Sequence, residues 1–257
     1  QAATESLMKR RKFITGLAAV AGGVGAGRLL AADNAPSAIG AGSCRLITQD
    51  LTGPFHTDHY PDRVNLFEGQ KGMPLALNFV VRNVLTCEPL PGAKVVIWHA
   101  NNEGFYSGVV NPVLNADGTA SDKKLDLTDQ SFHRGLQTTD AQGRVQFVTA
   151  FPGWYFPRLT HLHLKVYPPD FGEEATTQLY FRNGDCDAVY AGEHYRHRGP
   201  NPTRREPGDE SGIFSYDSED LWLNISRSDD GYQATHELGV AFYGSMFGEL
   251  TDHYRQG

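Results

Sequence analysis

The stretch PGWYFPRLTHLHLKV, residues 152–166, decides how this chain is read. It opens on a Pro-Gly turn, carries Tyr155 and Arg158, and runs into a strand-like segment with histidines at 161 and 163. On a β-strand, residues i and i+2 point to the same face roughly 6.5–7 Å apart, so both imidazoles can aim at one point. That is a metal-ligand spacing. The plain alternative is a half-exposed strand whose solvent face carries polar residues, and the rest of the sequence must choose between the two.

The surroundings read as β-structure. Short segments at 76–84, 93–99, 144–150, 160–167, 176–181, 221–225 and 238–242 are separated by turn formers such as Asn115-Ala116-Asp117-Gly118, Asp140-Ala141-Gln142-Gly143 and Asp229-Asp230-Gly231. No part beyond the N-terminal region shows sustained helical periodicity. The expected architecture is mostly β, a single β-sandwich domain with long loops. Two regions read as long loops, 107–137 and 183–214, and loops of that length are commonly functional. They are placed to wall a pocket.

The 257 residues suffice for one substantial core. A formal net charge of −7 argues against a nucleic-acid partner, which would need clustered Lys and Arg. Met8-Lys9-Arg10-Arg11-Lys12-Phe13-Ile14 stands before a glycine-rich, weakly apolar run from 15 to 32 and resembles a twin-arginine export signal. Residues 1–35 are therefore assigned to that signal, and 36–257 to the folded domain. The run is too weakly apolar to span a membrane, so the mature protein is expected to be periplasmic or extracellular without stable membrane insertion. Such export carries folded proteins, which suits a protein that takes up its metal before crossing.

Three cysteines in an oxidising compartment imply one pair and one left over. Cys44 with Cys87 is the expected pair, because both lie in loops leading into early strands. Cys186 remains, and the spacing matches no zinc motif.

Two histidines do not complete a metal site. Among nearby acids, Glu103, Asp170, Glu173 and Glu174 do not stand at a spacing that supplies the carboxylate of a two-histidine, one-carboxylate Fe(II) centre. Tyr155, six residues before His161, and Tyr106 are the other candidates, giving a two-histidine, two-tyrosine set. A phenol with a free pKa of about 10 becomes a ligand at neutral pH only against a strongly Lewis-acidic ion, which favours Fe(III).

Several spaced motifs then agree with a known family. Pro89-Leu90-Pro91-Gly92-Ala93-Lys94-Val95-Val96-Ile97-Trp98-His99, Gly104-Phe105-Tyr106-Ser107, Arg134-Gly135-Leu136-Gln137-Thr138-Thr139-Asp140, the opening stretch, and Thr177-Gln178-Leu179-Tyr180-Phe181 occur in order. Together, from about Cys44 to Phe242, they resemble the intradiol ring-cleavage dioxygenases, relatives of the catechol and protocatechuate 3,4-dioxygenases, and most of all the exported branch.

The resemblance implies one Fe(III) per chain, with Tyr106 and His161 as equatorial and Tyr155 and His163 as axial ligands. It implies Arg158 beside the site, Gln178 behind it, and Gly53-Pro54-Phe55 lining the substrate mouth. The implied reaction is cleavage of a catechol between its two hydroxylated carbons by O2, giving a cis,cis-muconate-type product, with Tyr155 displaced to take up a substrate proton. The partners are then a small aromatic diol and O2. The six-residue interval from Tyr155 to His161 is shorter than in the catechol and protocatechuate enzymes. The sequence also shows no counterpart to the helical dimerisation domain of catechol dioxygenases, so no oligomeric state is implied.

Two rivals remain. One is a secreted β-sandwich binding module for an aromatic compound or glycan, without turnover, with Trp154, Tyr195 and Tyr232 as an exposed platform. The other is a zinc or copper hydrolase built on the histidine pair. Arg134 and Gln137 read equally as loop anchors and as substrate contacts. His99 reads as a satisfied structural histidine, and His56, His59, His133, His194, His197, His236 and His253 as loop or surface residues.

Overall fold

The structure is a computed structural model that describes residues 44–115, 119–169, 174–209 and 214–243. Contacts divide the chain into residues 1–42 and 43–257, and everything described belongs to the second unit. The signal region assigned to 1–35, together with His253, lies outside the described residues.

Two sheets form a sandwich, as the alternating segments predict. The first has the order β10 (Ile225–Ser228), β11 (Gly231–Val240), β1 (Pro74–Asn83), β6 (Arg144–Ala150). The second has the order β5 (Arg134–Thr138), β2 (Lys94–Trp98), β7 (His161–Tyr167), β8 (Ala175–Phe181), β9 (Trp222–Leu223). A separate hairpin pairs β3 (Val110–Leu114) with β4 (Ala120–Asp126).

Alternation explains which faces meet. Leu75, Leu77, Phe79 and Val81 of β1 and Leu162, Leu164 and Val166 of β7 are fully buried in the same core, each contributing about 1.5–3 kcal/mol of transfer free energy. The other face of β7 carries His161 and His163, which are also buried. They lie against a second, smaller cluster of Val96, Trp98, Ala100 and Tyr106, with Phe55, Tyr60 and Tyr155 packed on it. The functional side chains therefore sit on the outer face of the second sheet, beneath a cover of loops.

Part of that cover is the segment following Cys44. A disulfide joins Cys44 to Cys87, as the loop placement predicts, while Cys186 is free and buried. Beyond it the chain binds both sheets, Ile47 N donating to Gly239 O (2.9 Å) and Asp50 N to Thr176 O (3.0 Å).

Several sequence expectations need correction. The region 107–137 contains β3, β4 and the start of β5 rather than a structureless loop. The region 183–214 opens with a helix, α1 (Asn183–Tyr190), which at two turns is too short to show a period. The segment 221–225 splits into the end of a 3-10 turn (Glu219–Leu221), β9 and the start of β10, and the last strand begins at Gly231. His133 lies in the turn before β5 but is wholly buried, so it is a loop residue and not a surface one, while His236 lies within β11 and is not in a loop. Tyr195 and Tyr232, offered as an exposed platform, are 2% and 5% exposed, which removes that surface from the binding-module reading. Among the described residues, no helix is long and apolar enough to cross a membrane.

Candidate metal centre

Strand pairing assembles the centre. In β7 the register sets His163 opposite Trp98 of β2 on one side and Gln178 of β8 on the other, and His161 opposite Tyr180. Tyr106 arrives on the loop after β2, fixed by Asn111, whose Oδ1 accepts from Tyr106 N (2.7 Å) and whose Nδ2 donates to Tyr106 O (2.7 Å). Tyr155 comes from the turn before β7.

Four polar atoms converge. His161 Nε2 lies 3.2 Å from His163 Nε2, 3.2 Å from Tyr106 Oη and 3.3 Å from Tyr155 Oη. His163 Nε2 lies 3.2 Å from Tyr106 Oη. All four sequence-predicted ligands are thus brought together. Such separations suit donors that share one ion, each standing about 2 Å from it.

The chemistry of the set also fits a cation. His161 Nδ1 lies 2.6 Å from Leu159 O, a bond in which the imidazole donates and so leaves Nε2 as a lone-pair donor toward the cluster. His163 is held differently. Its Nδ1 has no hydrogen-bond partner, and its ring stacks on Trp98 at 4.8 Å with 6° between planes. Burial, and next the Arg158 charge, keeps both imidazoles neutral well below the usual histidine range. Burial likewise raises the Tyr106 phenol well above its usual value and raises Tyr155. These phenols hold their protons unless a strong Lewis acid displaces them.

The acids weighed in the sequence stand elsewhere. Glu103 pairs with His197 and Glu174 with Lys165, while Asp170 and Glu173 lie outside the described residues. Among the described residues no cluster of three or more His, Cys, Asp or Glu occurs.

The surroundings gather the remaining candidates. Arg158 Nη2 donates to Gln178 Oε1 (2.6 Å), Gln178 Nε2 donates to Leu51 O (2.7 Å), and Arg158 stacks over Phe214 at 3.7 Å. Phe55 stacks on Tyr106 at 4.4 Å and meets Tyr155 edge-on at 5.9 Å. Gly53 has φ +74°, and a Cβ there would stand 2.9 Å from His163 Cε1, so only glycine lets the backbone cross the histidine so closely. Arg134 and Gln137 anchor loops: Arg134 donates to Ser107 O and Phe55 O, and Gln137 Nε2 to Asp62 Oδ1. His99 is satisfied as read, its Nδ1 2.8 Å from Ala100 O and its Nε2 2.8 Å from Thr149 Oγ1. Sequence reading missed Trp98 and Phe214, whose roles depend on strand pairing and a long return of the chain. Only the position of Trp98 one residue before His99 hinted at the first.

A family model described as Dioxygenase matches residues 52–195, more than half of the chain and every residue of the cluster. The chain belongs to the intradiol ring-cleavage dioxygenase family. A solved structure of an intradiol ring-cleavage dioxygenase from Tetranychus urticae superposes with a TM-score of 0.63 at 26% identity, covering 77% of this chain and 95% of that one. A chlorocatechol 1,2-dioxygenase of Pseudomonas putida is 26% identical over 155 residues, 52% of this chain and 53% of that protein. A protocatechuate 3,4-dioxygenase beta chain of Burkholderia cepacia is 31% identical over 122 residues, 44% of this chain and 48% of that protein. The chain spans about half the length of these curated relatives.

Proposed function

We propose that the protein is a non-haem Fe(III) dioxygenase, with one ion per chain, that cleaves a catechol between its hydroxylated carbons with O2 to give a cis,cis-muconate-type diacid. The observation that carries this reading is the convergence of His161 Nε2, His163 Nε2, Tyr106 Oη and Tyr155 Oη in a buried cluster. When bound, Fe(III) supplies Lewis acidity that lowers the pKa of coordinated hydroxyls and accepts charge from a catecholate ring.

The residues divide the remaining work. Tyr106, 1% exposed and stacked under Phe55, is the fixed phenolate ligand. Tyr155, half-buried at the edge of the cluster, is free to swing out and take one catechol proton on Oη. A free phenol has a pKa of about 10, so the released Tyr155 keeps that proton at neutral pH. Arg158, fixed by Gln178 and Phe214, places a guanidinium where negative charge grows on the substrate. Phe55 covers the Tyr106 ring and Gly53 crosses His163, and with Pro54 they are the segment this reading assigns to the substrate mouth. The two tyrosines are what a zinc or copper hydrolase on the histidine pair leaves unexplained.

The test is oxygen uptake by iron-loaded protein given catechol and substituted catechols. One O2 consumed per catechol, with a conjugated dicarboxylic acid as product, is expected, and Tyr106→Phe or His161→Ala abolishes iron binding or turnover. Iron-replete protein that consumes no oxygen with any catechol contradicts the proposal, as does a fully active His161→Ala.

A further inference from the structure

A cavity of about 570 Å³ lies where the end of α1 meets the segment from Arg196 to Arg204, and none of its lining residues belongs to the metal centre. That volume is within the range of small-molecule sites, roughly 300–1,000 Å³. Tyr190 and Asn201, both buried, form its inner side. Pro200, Pro202, Arg196 and Arg204, all exposed, form its outer side.

The charges on the outer side select an anion. Arg204 is already occupied, its Nη1 and Nη2 donating to Asp187 Oδ1 and Oδ2, both at 2.7 Å. The carbonyls at that end of α1 are occupied too, Asp187 O accepting from Ala191 N (3.1 Å) and Val189 O from Gly192 N (2.9 Å). Arg196 forms no ion pair among the described residues. One uncompensated guanidinium therefore stands beside apolar proline surface, and a guanidinium pairs with a carboxylate through two parallel hydrogen bonds. A phosphate or a dicarboxylate would call for a second free cation.

The inner side is hydrogen-bonded to the segment that carries Tyr155 and Arg158. Asn201 Nδ2 donates to Arg158 O (3.0 Å) and to Thr160 Oγ1 (3.3 Å). Tyr190 Oη donates to Pro152 O (2.9 Å) and lies 2.6 Å from Thr160 Oγ1. Gly199 O accepts from Trp154 Nε1 (3.1 Å). Residues 152, 154, 158 and 160 are thus tied to three residues that line one cavity.

We propose that this cavity is a second small-molecule site, which takes an organic monocarboxylate with an apolar body and transmits its occupancy to Tyr155 and Arg158 through Gly199, Asn201 and Tyr190. The binding stands apart from the metal assignment; only its effect on turnover rests on the reading under Proposed function.

Benzoate is the probe, titrated calorimetrically into iron-loaded protein, with benzamide as its uncharged counterpart; kcat for catechol is measured with and without benzoate. Saturable benzoate binding is expected, with benzamide about tenfold weaker and Arg196→Gln costing benzoate about tenfold in affinity. Ala191→Trp, at an exposed position that lines the cavity, fills it and abolishes binding. In wild type, benzoate is expected to change kcat about fivefold, a quantity that benzoate competing with catechol at the iron would leave alone, and in Ala191→Trp to leave it unchanged. Wild type without saturable binding, or benzamide bound as tightly as benzoate, overturns the site. Benzoate affinity unmoved in both variants places the anion elsewhere and overturns it too. Binding that Ala191→Trp abolishes, with kcat indifferent to benzoate in wild type, overturns the transmission to Tyr155 and Arg158. Protein that turns over no catechol yet binds benzoate through Arg196 contradicts the function proposed above and supports this site.

Discussion

Gly53 shows how narrow the tolerances are at the residue scale. Its positive φ and the 2.9 Å from an added Cβ to His163 Cε1 mean that Gly53→Ala adds backbone strain of about 1 kcal/mol and must displace the His163 ring. The expected outcome is a modest fall in melting temperature with a larger loss of iron stoichiometry. Full iron content in that variant would show that the crossing segment does not set the ring.

The buried His99, Thr149 and His133 form a directed chain. His99 Nδ1 donates to Ala100 O, its Nε2 accepts from Thr149 Oγ1, and Thr149 Oγ1 accepts from His133 Nδ1 at 3.1 Å. Burial lowers the His99 pKa to about 4. Above the unfolded value of about 6.5 both states are neutral and the contribution is intact. As pH falls from there toward 4, the unfolded chain binds a proton that the folded one refuses, so about 3 kcal/mol of stability is lost over that window. Denaturant unfolding of metal-free protein between pH 4 and 7 is expected to show this slope, with a shallower one in His99→Gln; an unchanged slope contradicts the account. At this scale the convergence of Tyr106, Tyr155, His161 and His163 was legible, because strand spacing and motif order singled those residues out. The chain of buried histidines was not, since nothing local to His133 announces burial.

At the element scale, β7 and the segment after Cys44 carry the architecture. A one-residue slip of β7 would turn His161 and His163 into the main core and expose Leu162 and Leu164, so the register with Trp98 and Gln178 is the central specification of the site. Strands with clear alternation, such as β1, β6, β7 and β8, could be read from the sequence to within a residue or two. The β3–β4 hairpin, the short β5, and α1 could not, because polar or very short elements carry too little pattern and depend on partners distant in sequence. The disulfide anchors the cover: Cys87→Ser opens a 43-residue closure and is expected to cost about 2–4 kcal/mol. Because the same segment continues to Leu51, Gly53 and Phe55 over the cluster, iron should also be lost faster to a chelator. An unchanged release rate would mean that the cover is held by its contacts with β8 and β11 alone.

At the scale of the whole molecule, two sheets devote their facing sides to an apolar core and leave the outer side of one sheet for chemistry, roofed by loops. Export is proposed from the Met8–Ile14 run alone, and replacing Arg10 and Arg11 with lysine is expected to leave the protein in the cytoplasm; normal export of that variant would contradict it. The central claim is that the buried Tyr106 phenol, the half-buried Tyr155 phenol and two neutral imidazoles hold one Fe(III) that a catechol chelates. It is tested most directly by the visible spectrum of iron-loaded protein before and after anaerobic addition of catechol. The account predicts a tyrosinate-to-Fe(III) charge-transfer band that shifts when catechol displaces Tyr155. A colourless protein that binds stoichiometric zinc, or an iron-loaded protein whose spectrum ignores catechol, would contradict it.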